Sequence, residues 1–255
     1  MRHTPLETAV ILAAGRGLRL RPHTDHRPKC LVEVNGRSIL SRQLASLEAS
    51  GFTRVVVVTG YGAESVERHL MESGTSLDVD FIHNDRYATT NNVLSLWLAR
   101  EKVGQGFVLL ESDLVFEPDA LIPFREPDRI ALDRYRPGIH NGTTVEISAQ
   151  GTVSRMHVST TPDASRVELH KTVNITSFSE RSWSRLHAHL DRIIRSGVTD
   201  VYYETAIKTL IEEDGFPFER VDFSTCWWDE IDSESDLVRV SRHEILARSM
   251  DTVIT

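Results

Sequence analysis

A loop near the N-terminus combines two glycines with two cations. Gly15 and Gly17 follow a hydrophobic run, and glycine lets backbone N–H groups approach phosphate oxygens with no Cβ in the way. Arg19 and Lys29 could neutralise a triphosphate and the charge that develops as it is cleaved. The spacing fits neither a dinucleotide fingerprint, whose third glycine would fall at Leu20, nor a P-loop. Although two glycines alone are typical of a structural turn, the long loop with its cations predicts a phosphate cradle.

Two acidic segments far apart in the chain could supply a metal site. Asp113 stands just after a hydrophobic run, where open α/β sheets place their ligands. Alternation along an extended chain would put Glu230 and Asp232 on one side and Asp229 on the other. Magnesium usually takes one or two protein carboxylates and fills its other positions with phosphate oxygens. The pattern predicts Mg²⁺ at Asp113 and Asp232, helped by Glu230, although Asp232 could instead cap the helix that follows Ser233.

Composition restricts the class of protein that can carry these groups. The 255 residues are 40% hydrophobic and have a formal net charge of -8, which suits one large α/β domain. No Lys/Arg-rich run is present to bind nucleic acid or an anionic membrane. Two cysteines are too few for a disulfide framework, and the apolar stretch from Ala9 to Ala14 is too short for a signal peptide or a membrane span. We expect a cytoplasmic protein with a single domain over residues 1–255, acting as a monomer or homodimer.

The elements that must position these residues follow from hydrophobic periodicity. Strands of a mostly parallel sheet are expected at Thr8–Ala13, Arg54–Thr59, Val79–His83 and Phe107–Glu111. Helices are expected between a Ser38 cap and a Gly51 stop, and over residues 63–72, 92–102, 180–196, 202–213 and 233–247. Short strand-like runs separated by turn signals predict a small β-rich insertion at about residues 130–178. The predicted fold class is α/β, with a Rossmann-like, mostly parallel mixed sheet flanked by helices.

The N-terminal loop and its flanks resemble the opening motif of the sugar-phosphate-type nucleotidyltransferases. The matching positions are Leu12–Gly15, Gly17, Arg19–Leu20, Pro22, Thr24, Pro28–Lys29, Leu31, Val34, Gly36 and Ile39–Leu40. The resemblance implies the nucleotide-diphospho-sugar transferase type of fold, with Arg19 at the triphosphate and Lys29 near its α-phosphate. It also implies a Mg²⁺ cofactor held by Asp113 and by Glu230 or Asp232.

A second segment, Ala88–Arg100, is similar to the Asn-Asn and Ser-Leu segment of the phosphocholine cytidylyltransferases. This similarity favours CTP, because an Asn side chain offers the donor and the acceptor that a cytosine edge requires. Capping the next helix is the alternative role for Asn91 or Asn92. The nucleotide-binding residues we expect are Leu12, Ala13, Ala14, Gly15, Gly17, Asn84, Thr90, Asn91, Asn92 and Ser112.

Two later segments, His170–Ile175 and Tyr202–Glu204, look like the cytidylyltransferase domains of phosphonate biosynthesis. In that comparison Lys171 meets the acceptor's phosphonate; an exposed strand lysine is the alternative interpretation. The dipeptide His140–Asn141 stands where the family usually has an acidic turn. The acceptor-binding residues we expect are Asp133, Tyr135, Lys171, Glu204 and Trp228.

Together these patterns predict a cytidylyltransferase that transfers CMP from CTP to a small phosphonate, such as 2-aminoethylphosphonate or a hydroxyalkylphosphonate, and releases pyrophosphate. Arg19, Lys29 and Lys171 are the expected catalytic residues. A phosphocholine or sugar-1-phosphate nucleotidyltransferase is the alternative within the superfamily. A non-catalytic nucleotide-binding regulator is the alternative from another class.

Overall fold

The computed structural model describes residues 4–160, 164 and 167–243 of the chain. Its strands are β1 (Thr8–Ala13), β2 (Glu33–Val34), β3 (Arg37–Ser38), β4 (Arg54–Thr59), β5 (Asp78–His83), β6 (Phe107–Glu111), β7 (Leu114–Phe116), β8 (Arg129–Arg134), β9 (Thr144–Ile147), β10 (Val153–His157), β11 (His170–Phe178), β12 (Glu219–Asp222) and β13 (Trp228–Glu230). Its α-helices are α1 (Ile39–Ala49), α2 (Ala63–Glu72), α3 (Asn92–Leu98), α4 (Glu180–Arg195), α5 (Glu204–Glu212) and α6 (Glu234–Ser241). Short 3-10 helices cover Leu18–Leu20, Lys29–Leu31, Ala99–Glu101 and Pro118–Arg125.

Nine strands form the central sheet, and its parallel part is the one expected from the sequence. The order β10-β9-β11-β6-β1-β4-β5 runs across it, and β8 pairs with β11 and β12. Strand β1 is parallel to β4 and β6, and β4 is parallel to β5. Strand β11 runs antiparallel to β6 and β8. The predicted mostly parallel mixed sheet, flanked by helices, is confirmed.

Both faces of the sheet are buried, which explains why its central strands are aliphatic throughout. Successive side chains of β1 alternate between two cores: Ile11 belongs to the one that contains α1 and α2 residues, and Val10 to the one that contains residues of α3, α4 and α5. Both are fully buried, and complete burial of such a side chain contributes about 1.5–3 kcal/mol. The sheet therefore gives its connecting loops a rigid base.

The predicted helices are present with small shifts at their ends. Ser38 caps α1 by accepting a hydrogen bond from the Ser41 backbone N–H, and Gly51 follows that helix with a left-handed φ of 81°, as expected. The segment expected to be helical to residue 102 changes to 3-10 geometry after Leu98. Helix α6 is capped by Ser233 and not by Asp232, and residues 244–247 of its predicted span lie outside the described residues.

The strands from residue 130 to 178 extend the central sheet and do not form a separate layer beside it. Strands β9 and β10 pair with each other, and β9 also pairs with the beginning of β11. Because β11 is hydrogen-bonded to β6, the expected acceptor-binding region continues directly from the strand that ends beside Asp113. None of the described helices is both long enough and apolar enough to cross a membrane.

Candidate active site

A cavity of about 490 Å³ opens where β1 and β6 end at their carboxyl sides, which is where sheets of this kind place ligands. Among the expected nucleotide-binding residues, those that line it are Leu12, Ala14, Gly15, Gly17, Asn84, Thr90, Asn91, Asn92 and Ser112. Ala13 is not among them, because its side chain is buried in the core on the α1 side of the sheet; its role in nucleotide binding stays a prediction. The period-2 alternation of a strand requires this burial, because Leu12 faces the opposite side.

Glycine is needed at the two loop positions for different structural reasons. Gly17 has a left-handed φ of 62°, and a Cβ there would stand 2.9 Å from the Cβ of Lys29, so this position brings the loop against the lysine. A Cβ on Gly15 would have no atom of the described residues within 4 Å. Because Gly15 also lines the cavity, the absent side chain leaves room for a ligand.

The cations of the loop are paired with the two acidic segments predicted to hold a metal. Lys29 Nζ donates to Asp113 Oδ2 at 2.7 Å and to Asp232 Oδ1 at 2.6 Å. Arg19 Nη2 lies 2.8 Å from the same Asp232 oxygen, and its side chain is otherwise well exposed. Burial alone would lower the pKa of Lys29, but the charges and hydrogen bonds of Asp113 and Asp232 outweigh it and raise that pKa. The cluster holds its lysine charged.

The pairing of β7 with β13 explains how two carboxylates so distant in the sequence meet. Glu230 is opposite Leu114 in this ladder, and the Ile231 N–H donates to the Asp113 carbonyl at 3.0 Å. Asp232 therefore lies beside Asp113. Asp229 points away and is paired with Arg239 at 2.7 Å, as the alternation predicts.

Asp113 and Asp232 are chemically suited to Mg²⁺. Oδ1 of Asp113 is buried, and no described residue donates a hydrogen bond to it, so one hard oxygen is left for a cation. Within the described ranges, no group of three or more His, Cys, Asp or Glu side chains is placed to hold a metal by itself. Two carboxylates completed by phosphate oxygens remain the arrangement that these residues fit.

The asparagines expected to recognise the base are occupied with protein partners. The Asn91 side chain accepts from the Asn92 N–H and caps α3. Asn92 Nδ2 donates to Glu111 Oε1 at 3.2 Å, while its Oδ1 accepts from the Tyr203 N–H at 2.9 Å. Asn84 Nδ2 donates to the Ser95 hydroxyl. All three amides line the cavity, but in this structure Asn91 caps its own helix, while Asn84 and Asn92 bond to side chains or backbone of other elements.

At the other end of the site, Lys171 is not the exposed strand lysine of the alternative interpretation. It is 2% exposed, and its Nζ donates to Glu230 Oε1 at 3.0 Å and to the Thr172 carbonyl. The ammonium lies 5.8 Å from the centre of the Trp228 ring. Trp228 Nε1 in turn donates to Asp133 Oδ2 at 3.1 Å. Three of the expected acceptor residues thus form one connected group around the lysine.

The remaining two acceptor residues are placed differently. Glu204 is 7% exposed and lies close enough to Lys171 for their charges to interact. The ring of Tyr135 is 6.3 Å from His140, which stands between it and Trp228. Tyr135 borders a separate cavity of about 450 Å³, so the structure does not bring it to Lys171.

Glu111 is a site residue that the sequence interpretation missed. Its carboxyl accepts from Asn92, from Asn174 Nδ2 at 3.4 Å and from the Tyr203 hydroxyl. Burial, followed by the charges of Asp113 and Glu204, raises its pKa well above the ordinary value. The available signal was its position two residues before Asp113 at the end of β6. This carboxyl joins the nucleotide wall to β11 and the start of α5.

Comparison with known proteins agrees with this geometry. Residues 9–125 match the MobA-like NTP transferase domain family. This part of the chain belongs to that family. The membership supports an enzyme of the nucleotidyltransferase kind and confirms the resemblance recognised in the opening motif.

Several relatives of this chain are named as cytidylyltransferases or CMP-phosphonate synthases. A CMP-5'-(3-aminopropyl)phosphonate synthase from Streptomyces rubellomurinus is 32% identical over 236 residues, which cover 89% of this chain and 37% of that protein. A choline-phosphate cytidylyltransferase from Streptococcus pneumoniae is 35% identical over 109 residues, which cover 43% of this chain and 46% of that protein. A 2-aminoethylphosphonate cytidylyltransferase from Lancefieldella rimae is 34% identical over 112 residues, which cover 44% of each. The chain thus spans less than half the length of these curated relatives.

Solved structures establish the fold. The CTP:phosphocholine cytidylyltransferase of Streptococcus pneumoniae superposes with a TM-score of 0.78 at 23% identity, covering 94% of this chain and 100% of that one. The inositol-1-phosphate CTP transferase of T. maritima gives a TM-score of 0.79 at 19% identity over the full length of both. At these identities the likeness concerns the fold, which is of the predicted nucleotide-diphospho-sugar transferase type.

Proposed function

We propose that this protein is a Mg²⁺-dependent cytidylyltransferase that joins CMP from CTP to a small phosphonate. The observation that carries the proposal is the junction at the carboxyl end of β6. There, one strand pair places the cluster of Lys29, Asp113 and Asp232 next to Lys171 with its partner Glu230. A site with a cation for each of two anionic reactants suits the joining of two phosphorus compounds.

On the nucleotide side, the loop at Gly15 receives the nucleotide, and Arg19 and Lys29 neutralise the triphosphate. Arg19 is free to turn towards it, because its side chain is 70% exposed beyond its contact with Asp232. Lys29 is 13% exposed and held from two sides, so it is already oriented before CTP binds. A cation that is fixed in advance stabilises developing charge without reorganisation.

Asp113 and Asp232 are the residues that would hold Mg²⁺, with Glu230 nearby. When bound, the metal supplies positive charge to the triphosphate and to the leaving pyrophosphate. Glu230 is tied to Lys171, and burial raises its pKa, which makes it the weaker of the three candidate ligands.

On the acceptor side, Lys171 binds the phosphonate and offsets its repulsion by the triphosphate. A phosphonate oxygen forms a bond to the α-phosphorus of CTP, and the bond from that phosphorus to the oxygen of the β-phosphate breaks. Pyrophosphate leaves with the electron pair. The attacking oxygen is already ionised near neutral pH, so no general base is needed. Holding the two reactants in line is the main contribution of the protein.

The choice of CTP and of a phosphonate rests on the relatives. Proteins named for aminopropylphosphonate, aminoethylphosphonate and phosphocholine cytidylyl transfer match this chain. The match to the first of these relatives covers 89% of this chain. It therefore includes strand β11, which carries Lys171. The cytoplasmic location and the monomeric or homodimeric state expected from the sequence stay predictions.

The test is pyrophosphate release with CTP and Mg²⁺ across 2-aminoethylphosphonate, 3-aminopropylphosphonate, a hydroxyalkylphosphonate, phosphocholine and a sugar 1-phosphate. We expect the phosphonates to give the highest kcat/KM, and UTP or TTP to replace CTP poorly. Turnover confined to sugar 1-phosphates would contradict the acceptor class. CTP binding without product from any acceptor would point to a regulator that kept the fold.

A further inference from the structure

Glu204 carries a buried oxygen that the protein leaves without a partner. The residue opens α5 and is 7% exposed, and its Oε2 finds no hydrogen-bond donor within the part of the chain that the structure describes. The carboxyl otherwise interacts with its own backbone N–H and the Thr143 hydroxyl. Leaving a buried carboxylate oxygen without a donor is costly, so native structures rarely keep one without a reason.

The surroundings of Glu204 contain more acid than base. The Glu204 carboxyl interacts electrostatically with the carboxyls of Glu111 and Glu230 and with the ammonium of Lys171. That lysine is already committed to Glu230 at 3.0 Å. Burial is the largest cause that raises the pKa of Glu204, to about 7, and the charge of Glu230 adds to it. The group therefore holds more carboxyls than cations, and a second cation bound there would favour the ionised form of Glu204.

The missing group has a defined chemistry. A protonated primary amine offers both the N–H that Oε2 lacks and a positive charge. A quaternary ammonium offers charge without N–H, and a hydroxyl offers a donor without charge. Since Lys171 lies close by and would bind the phosphonate, one molecule with an anionic head and an ammonium tail could satisfy both residues.

We infer that Glu204 receives the terminal ammonium of the acceptor, so that the acceptor is an ω-aminoalkylphosphonate with a primary amine. This inference rests on the proposed function and names its substrate class. The turn before Thr143 covers the lysine: a Cβ on Gly142 would stand 3.8 Å from Lys171 Nζ. Residues 136–139 of the same loop are exposed, so the inference requires that this loop moves aside to admit the acceptor to Lys171 and Glu204.

The first arm of the test varies the acceptor on the unmodified protein. The series is 3-aminopropylphosphonate, its N,N,N-trimethyl analogue, 3-hydroxypropylphosphonate and propylphosphonate, each with CTP and Mg²⁺. We expect kcat/KM for the primary amine to exceed that for the trimethyl and propyl compounds by about 100-fold, with the alcohol between them. The shorter 2-aminoethylphosphonate is included to separate the effect of alkyl chain length on kcat/KM from the effect of the charged amine.

The second arm uses Glu204→Gln, with Glu213→Gln as the matched control at an exposed position just after the same helix. Glu204→Gln is expected to lower kcat/KM for the amine by about 10- to 100-fold and to leave propylphosphonate within about threefold. The KM for CTP should not change. Glu213→Gln should behave like the unmodified protein with every acceptor, and circular dichroism with thermal unfolding establishes that each variant is folded.

The outcomes separate this inference from the proposed function. Equal use of the amine and trimethyl compounds, or an equal loss with all acceptors in Glu204→Gln, would overturn the role of Glu204 while phosphonate turnover itself stands. No product with any phosphonate would overturn both. If Glu204→Gln does not fold, the acceptor series on the unmodified protein still decides the matter.

Discussion

The two ends of the site are built in opposite ways. At the nucleotide end, Lys29 and Arg19 are matched by Asp113 and Asp232 around an open cavity. At the acceptor end, Lys171 is buried, and Glu230, Glu204 and Glu111 outnumber it. A balanced, open end suits a nucleotide that brings its own metal ion. A closed end with more carboxyl groups than cations suits one small acceptor. We therefore expect the selectivity of the proposed reaction to lie at the acceptor end.

The largest expected effect comes from the nucleotide end. Asp113→Asn removes the carboxylate whose Oδ1 has no donor among the described residues. We expect kcat to fall by about 1000-fold or more, because a charged ligand of the triphosphate complex is lost. Initial rates of pyrophosphate release measure this. Asp229→Asn is the matched control, since Asp229 lies on the same short strand segment as Glu230 but pairs with Arg239. Similar rates in both variants would mean that the metal site is elsewhere.

The acceptor end should respond differently to loss of its cation. Lys171→Met should lower kcat/KM for the acceptor by about 100-fold with little change in the KM for CTP. It also leaves the partly buried Glu230 without its partner, which should cost less than the about 3–5 kcal/mol of a fully buried unpaired charge. In the double variant Lys171→Met/Glu230→Gln, stability should recover while the acceptor defect remains. Recovery of both by Glu230→Gln would show that Lys171 has only a structural role.

The excess of carboxyl groups at the acceptor end predicts how the stability of the protein depends on pH. The folded protein holds the Glu204 proton to about pH 7, whereas the unfolded chain releases it near the ordinary value of about 4.3. Stability is therefore lost as pH rises between these values. We compare the free energy of unfolding of Glu204→Gln with that of the unmodified protein. The difference should be about 2 kcal/mol more favourable to the variant at about pH 8 than at about pH 5.

Urea unfolding at the two pH values measures this difference. The Glu213→Gln control should show a constant difference from the unmodified protein. A constant difference for Glu204→Gln as well would mean that Glu204 is not held protonated, and the contrast between the two ends would weaken.

The smallest expected effects come from substituting the two glycines of the loop, Gly15 and Gly17, and these effects differ in kind. Gly17→Ala forces a side chain into a left-handed conformation against Lys29 and should cost about 1–2 kcal/mol of stability. The Cβ added by Gly15→Ala has no neighbour within 4 Å in the part of the chain that the structure describes, so stability should be unchanged while the KM for CTP rises. Thermal unfolding and CTP titration of both variants distinguish these outcomes. An unchanged KM in Gly15→Ala would show that the nucleotide does not approach this residue.

Much of the nucleotide end could be predicted because its residues are contiguous. Gly15, Gly17, Arg19 and Lys29 lie within one loop between predictable elements, and local spacing specifies their chemistry. The acceptor end could be predicted only in outline, since β8, β11, β13 and α5 each contribute to it. Local spacing did not indicate that the His140 ring would lie between Tyr135 and Trp228, and the role expected for Tyr135 stays a prediction.

The sequence by itself determined the strand-loop-helix order, the alternation of the aliphatic strands and the cap at Ser38, because these depend on neighbouring residues. Only the tertiary structure decided that β7 and β13 pair and so bring Asp113 and Asp232 to one lysine. It also decided that Asn91 caps α3 while Asn92 connects α3 to Glu111 and to the start of α5, and that Glu111 joins them to β11. Such roles depend on which distant groups remain to be satisfied when the chain packs, and local spacing holds no information about them.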